Sequence, residues 1–143
     1  MSKQNSFLIP CLCVFCTLSM FFISCKKEAG EGGAATITGK IYVKDYDNAT
    51  LTNLESQYFA QKEDVYIIYG GEKGTFDDRV ETSYDGTYEF KFLRKGKYKI
   101  FVYSKDISKN LVLYPSGYKT EFYSVEISGK KDEVEVPTIE IID

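Results

Sequence analysis

Histidine occurs nowhere in the 143 residues, and cysteine does not occur after position 25. The first absence removes imidazole zinc sites, Ser-His and Cys-His nucleophile pairs and histidine acid-base chemistry. The second leaves the body of the chain with neither a disulfide framework nor a thiolate metal site, because Cys11, Cys13, Cys16 and Cys25 all sit in the N-terminal segment. A clustered basic run is missing as well. Eighteen Lys and Arg stand against 21 Asp and Glu, a net charge of -3. The charges intersperse, as in Lys95-Gly96-Lys97 close to Glu89 and Asp85, so nucleic acid is not an expected partner. No spacing among the acidic residues singles out a pair for glycoside hydrolysis. The chain therefore reads as a non-enzyme without a cofactor, with room for one domain of the usual roughly 100 to 150 residues.

What is present begins with a leader. Lys3 and the amino terminus make a short positive region, the apolar run Phe7 to Ile23 follows, and Ser24 precedes Cys25. This is the layout of a secretory signal over residues 1–24, and the run falls short of the roughly 20 residues that span a bilayer. Phe22-Ile23-Ser24-Cys25 resembles the lipobox of bacterial lipoproteins. The resemblance implies cleavage between Ser24 and Cys25 and acylation of the Cys25 thiol. Two or three acyl chains, at about 0.8 kcal/mol per buried methylene, hold far more firmly than one, so the membrane is an expected partner through the lipid. Lys26 after the cysteine is compatible, in that family, with the outer membrane. Lys27-Glu28 resembles part of the charged export tag of Bacteroidetes lipoproteins, and would imply exposure at the cell surface. Residues 25–35, with three glycines and no large apolar side chain, read as a flexible tether reaching about 17 Å.

From Thr36 the apolar period is two. Ile37, Gly39, Ile41 and Val43 share one face of a strand, and Asp45 to Asn48 reads as a turn. Leu51, Leu54 and Tyr58 fall at helical spacing, which predicts a loop with a helical turn or two between 49 and 63. Val65 to Tyr69 and Arg79 to Ser83 are predicted strands. Tyr84-Asp85-Gly86-Thr87 is a tight turn. Tyr88, Phe90 and Phe92 share a face, as do Tyr98, Ile100 and Val102 after the Arg94-Lys95-Gly96 turn. Leu111 to Tyr114 is a short strand, Tyr123, Val125 and Ile127 alternate, and Pro137 marks the last strand as an edge or as broken in two. Seven or eight short strands between turns predict an all-β antiparallel β-sandwich over residues 36–143.

The stretches Gly39-Lys40-Ile41-Tyr42-Val43, Asp64-Val65-Tyr66-Ile67, Thr82 to Phe90 and Leu93 to Ile100 resemble the carboxypeptidase-regulatory-like, transthyretin-like family. That resemblance implies a seven-stranded sandwich serving as a binding, spacer or assembly module, with residues 48–63 as an insertion. Its hydrolase branch needs histidines, which this chain lacks.

Three other chemistries are weighed by residue. Lys40 or Lys44 could supply the amine of an isopeptide bond, but the stretch Val134 to Ile142 offers no asparagine. Asp45, Asp47 and Asn48, or Asp77 and Asp78 with Asp85, could face calcium, yet lack EF-hand spacing and read as turn formers. Twelve tyrosines serve mostly for cross-strand packing, leaving Tyr84, Tyr114 and Tyr118, at turns, as the ligand-facing candidates. The functional expectation is an envelope lipoprotein that binds a protein partner or serves as an accessory module of the outer membrane, with a carbohydrate-binding module as the alternative.

Overall fold

The computed structural model describes residues 28–47, 52–71, 74–108, 113 and 115–143. Ser24, Cys25 and Tyr114, the signal segment and most of the strand expected at 111–114 lie outside the described residues. Among those described, the fold is all-β, with nine strands in two sheets: β1 (Glu31–Tyr46), β2 (Leu54–Phe59), β3 (Asp64–Tyr69), β4 (Asp78–Glu81), β5 (Thr87–Leu93), β6 (Gly96–Lys105), β7 (Tyr118–Ile127), β8 (Glu133–Glu135) and β9 (Ile139–Ile142). One sheet is built around β1; the other runs β4-β3-β6-β7, antiparallel throughout.

The two-residue period of β1 places Ala35, Ile37, Ile41 and Val43 in the core, where they meet Val65, Ile67, Tyr98, Ile100 and Val102 from the facing sheet. Two sheets, each hiding one apolar face against the other, are the sandwich solution to burying alternating strands. Gly39 holds the missing position in the β1 stripe because its register partner is Tyr88, whose hydroxyl lies 2.4 Å from where a Cβ on Gly39 would stand.

That hydroxyl is buried with no hydrogen-bond partner, and burial pushes its pKa well above the ordinary tyrosine value. An unpaired buried hydroxyl costs more than it returns. Tyr88→Phe is therefore expected to raise stability by about 1 kcal/mol, seen as a higher midpoint in urea at unchanged slope. A lower midpoint would mean that the hydroxyl has a partner.

Five sequence expectations are corrected. The tether was placed at 25–35, but β1 starts at Glu31 and Ala35 is fully buried. The segment 28–34 forms a strap pinned by the buried Tyr98 hydroxyl, which accepts from the Gly30 N–H (3.0 Å) and donates to the Arg94 carbonyl (2.6 Å), while the Arg94 N–H donates to the Gly30 carbonyl. The helical turns expected within 49–63 are instead β2, paired antiparallel with β1 from Tyr42 to Tyr46, so Asp45 and Tyr46 continue the strand where a turn was expected. Phe92 does not share the inward face of Tyr88 and Phe90. Its φ of +58° bulges β5, turns the ring out to 69% exposure and gives the inward place to Leu93. The sandwich is also not wholly antiparallel, because β8 and β9 run parallel to β1. The expected break at Pro137 is present. Val136 donates its N–H to the Thr38 carbonyl, Pro137 has none to give, and pairing resumes at Ile139.

Candidate functional site

At one end of the sandwich, three tyrosines from three strands converge on a cleft of about 330 Å³ lined also by Gln61, Glu63 and Asp143. They are Tyr58 of β2, Tyr103 of β6 and Tyr118 of β7. Strand parity sends Tyr103 there. Tyr98, Ile100 and Val102 face the core, so Lys99, Phe101 and Tyr103 face outward. The floor is apolar, supplied by Val43, Ala60 and Ile141.

The walls are fixed by polar contacts, from the buried to the half-exposed. The Thr82 hydroxyl donates to the Ala60 carbonyl (2.8 Å) and accepts from the Glu63 N–H (2.9 Å), which holds the 60–63 loop that carries Gln61 and Glu63. Buried Ser104 accepts from the Ile142 N–H (2.9 Å), and Lys105 pairs with the Asp143 carboxylate at 3.0 Å, which holds the opposite wall. Burial, with Asp143 and Asp64 adding repulsion, raises the Glu63 pKa. Tyr58 is raised by burial and then by Asp143, Asp45 and Glu63, so its phenol stays protonated and can donate a hydrogen bond. The cleft thus offers aromatic faces, phenol hydroxyls, an amide and two carboxyl groups, at the small end of the roughly 300 to 1,000 Å³ typical of ligand sites.

Tyr103 also joins the cleft to an aromatic band on the outer face of the four-stranded sheet. Tyr66 stacks on Phe101, its cross-strand partner, with centroids 5.0 Å apart at 14°. Tyr103 meets both rings edge-on at 5.5 and 5.7 Å, and Phe76 closes on Tyr66 at 4.8 Å. Phe122 stands across from Phe101 on β7, with the Lys99 ammonium 4.7 Å from its ring centroid.

Of the tyrosines singled out in the sequence, Tyr118 lines the cleft. Tyr84 stands on the β4–β5 turn at 83% exposure and is not one of the cleft residues. Tyr58, Tyr103, Gln61, Glu63 and Asp143 were missed. The signal available for Tyr103 was an aromatic among lysines on the outer parity of a strand whose other parity carries Tyr98, Ile100 and Val102.

The carboxylates weighed for calcium serve the backbone and neighbouring side chains. Asp45 accepts from Ser56, Asp47 from the Asn53 N–H, Asp77 from the Tyr69 N–H and Asp78 from the Arg79 N–H. Asp85 accepts from Ser83, Thr87 and Lys40, which hold its carboxyl well below the usual range; Asn48 lies outside the described residues. Lys40 and Lys44 are in ion pairs with Asp85 and Glu140.

No family model and no curated protein matches the chain. Among solved structures, it is similar to a candidate carbohydrate-binding protein from Pseudomonas aeruginosa at 12% identity and a TM-score of 0.43, over 80% of this chain and 92% of that one. It is also similar to an (S)-allantoin synthase at 13% identity and a TM-score of 0.39, over 76% of this chain and 42% of that one. Overlap this partial carries no information about ligands.

Proposed function

We propose that this chain is a non-enzymatic module of the bacterial cell envelope, anchored in the outer membrane by lipid on Cys25, that binds glycan at the tyrosine cleft. The observation that carries the reading is the convergence of Tyr58, Tyr103 and Tyr118 with Gln61, Glu63 and Asp143 around one opening. A sugar ring has an apolar face of C–H bonds and an edge of hydroxyls. The C–H face suits the negative face of an aromatic ring, and the hydroxyls suit carboxyl, amide and phenol groups that both donate and accept. Cores of protein interfaces, by contrast, are depleted in charge, and this cleft holds two carboxyl groups.

A protein partner is the second reading. It is favoured by Phe76 and Phe122, rings without a hydroxyl that are 50% and 60% exposed on the adjoining band.

A glycan array separates the two. The probe is the chain from residue 25 with serine in place of Cys25, which contains every described strand. Hits that disappear in a Tyr118→Ala variant support the first reading. Silence across the array, with a specific protein crosslinked to the band in intact cells, would replace it with the second.

The anchor has its own measurement. Metabolic labelling with a fatty-acid probe is expected to mark the full chain, and Cys25→Ser is expected to abolish the label and release the domain from the membrane fraction. Label retained in that variant would remove Cys25 from the account.

A further inference from the structure

The other end of β6 carries a second cleft, of about 460 Å³, whose lining includes Gly32, Gly33, Arg94, Lys95, Lys130 and Lys131. Four of its eight lining residues are cations contributed by two turns, the one between β5 and β6 and the one between β7 and β8, set on a wall that is otherwise apolar or glycine. None of the four has a salt-bridge partner among the described residues, although Lys40, Lys44, Arg79, Lys91, Lys105 and Lys119 all do. The carboxylate nearest in sequence, Asp132, is turned to the N–H groups of Ser128 and Gly129. Glu31 and Glu133 do not line the cleft.

One donor there is left empty. The Arg94 Nε is shut away from solvent with no hydrogen-bond partner, and its guanidinium lies against Gly32, with Nη2 3.0 Å from where a Cβ would stand. That Nε is out of reach of the cleft, but Arg94 as a residue is half-buried and lines it, so its positive charge lies beside any anion held there.

We propose that this cleft docks the phosphate headgroups of the membrane that carries the anchor, setting the domain upright with the tyrosine cleft at the far end. The proposal rests on acylation of Cys25. Five Cα-to-Cα steps lead from Cys25 to Gly30, where the strap is pinned, a reach of at most about 18 Å. The cleft is therefore kept within reach of the lipid surface, where each basic side chain contributes about 1 kcal/mol near an anionic leaflet, or roughly fivefold in partition. A free anion would gain nothing from that placement.

The membrane contact can be read without the lipid, so its failure is distinct from failure of the anchor. The chain from residue 25 with serine at that position is sedimented with vesicles of phosphatidylglycerol in phosphatidylcholine, and with vesicles of phosphatidylcholine alone. Binding to the anionic vesicles only is expected, falling as salt rises. Lys130→Glu with Lys131→Glu should weaken it at least tenfold at unchanged melting temperature, while Lys119→Glu, at the other end of the sandwich, leaves it intact. Equal binding to both vesicles, or full binding by the double variant, overturns the proposal. So does inorganic phosphate binding with the same dependence on the two lysines, which would make the cleft a site for soluble phosphate.

Discussion

Gly33→Ala is expected to lower stability by about 3 kcal/mol, the upper end of what overpacking by a single methyl costs. A Cβ at that position would stand 1.8 Å from the Leu93 carbonyl oxygen, 2.3 Å from its carbon and 2.6 Å from the Arg94 nitrogen. All three atoms belong to backbone, so no rotamer relieves the overlap. The close approach arises where Glu31 and Ala35 both register against Leu93, so that β1 loops out between them. Either the β5–β6 turn shifts or the strap peels away. Peeling breaks the Arg94 to Gly30 backbone bond and strips the Gly30 partner from the buried Tyr98 hydroxyl. At about 1 kcal/mol for each hydrogen bond lost, and more for a buried group left unpaired, local detachment costs about as much as the strain. The expected signature is therefore a lower melting temperature together with new protease cleavage between residues 28 and 34. Gly74→Ala is the control. Nothing lies within 4 Å of its added methyl, and it should stay within about 0.5 kcal/mol of the parent. If the two variants melt alike, the strap is not packed as described.

The same strap shows where the sequence stops being legible. Gly30, Gly32 and Gly33 read as tether because glycine is the residue of flexible linkers, yet here it is what lets one backbone approach another; composition alone does not separate the two uses. Alternation revealed β1, β3 and β6 because their inward residues are mostly apolar, with only Gly39 and Ser104 breaking the stripe, and the register follows from the pleat. It failed at Phe92, where one left-handed residue hands the inward place to Leu93, and at β2, whose six residues are all exposed and so leave no burial period to read. The parallel pairing of β8 and β9 with β1 depends on which edge of β1 is left open by β2 and β5, a long-range fact with no local trace. Pro137 was legible because a missing N–H has the same consequence in any sheet. The tyrosine cleft was half legible. Tyr118 could be nominated from its turn, but Tyr58 and Tyr103 meet it only once β2 and β6 are placed, and Glu63 and Asp143 join through Thr82, Ser104 and Lys105, whose pairings span 19 to 38 residues. The four cations at the other end looked interspersed in sequence; two turns bring them together.

Loss of Tyr103 is expected to have the largest effect on glycan binding, because it is the one side chain shared by the cleft and the aromatic band. Tyr103→Ala removes a stacking face from the opening, on the scale of a binding hot spot at about 2 kcal/mol or more, and affinity for the array's best ligand should fall roughly thirtyfold. Tyr103→Phe keeps the face and removes one hydroxyl, about 1 kcal/mol, for a loss nearer fivefold. Tyr84→Ala, on its separate turn, should change nothing. Tyr103 is half exposed, and its edge contacts with Tyr66 and Phe101 are worth about 0.5 to 1.5 kcal/mol each, so the alanine variant should stay folded, which thermal melting checks directly. Titration calorimetry on the three variants then gives an order that a purely structural role could not produce: alanine far below phenylalanine, and phenylalanine below the parent. If alanine and phenylalanine lose affinity equally, the hydroxyl rather than the ring face makes the contact and the stacking geometry is wrong. If neither loses affinity, the glycan sits elsewhere and the tyrosine cleft is not its site.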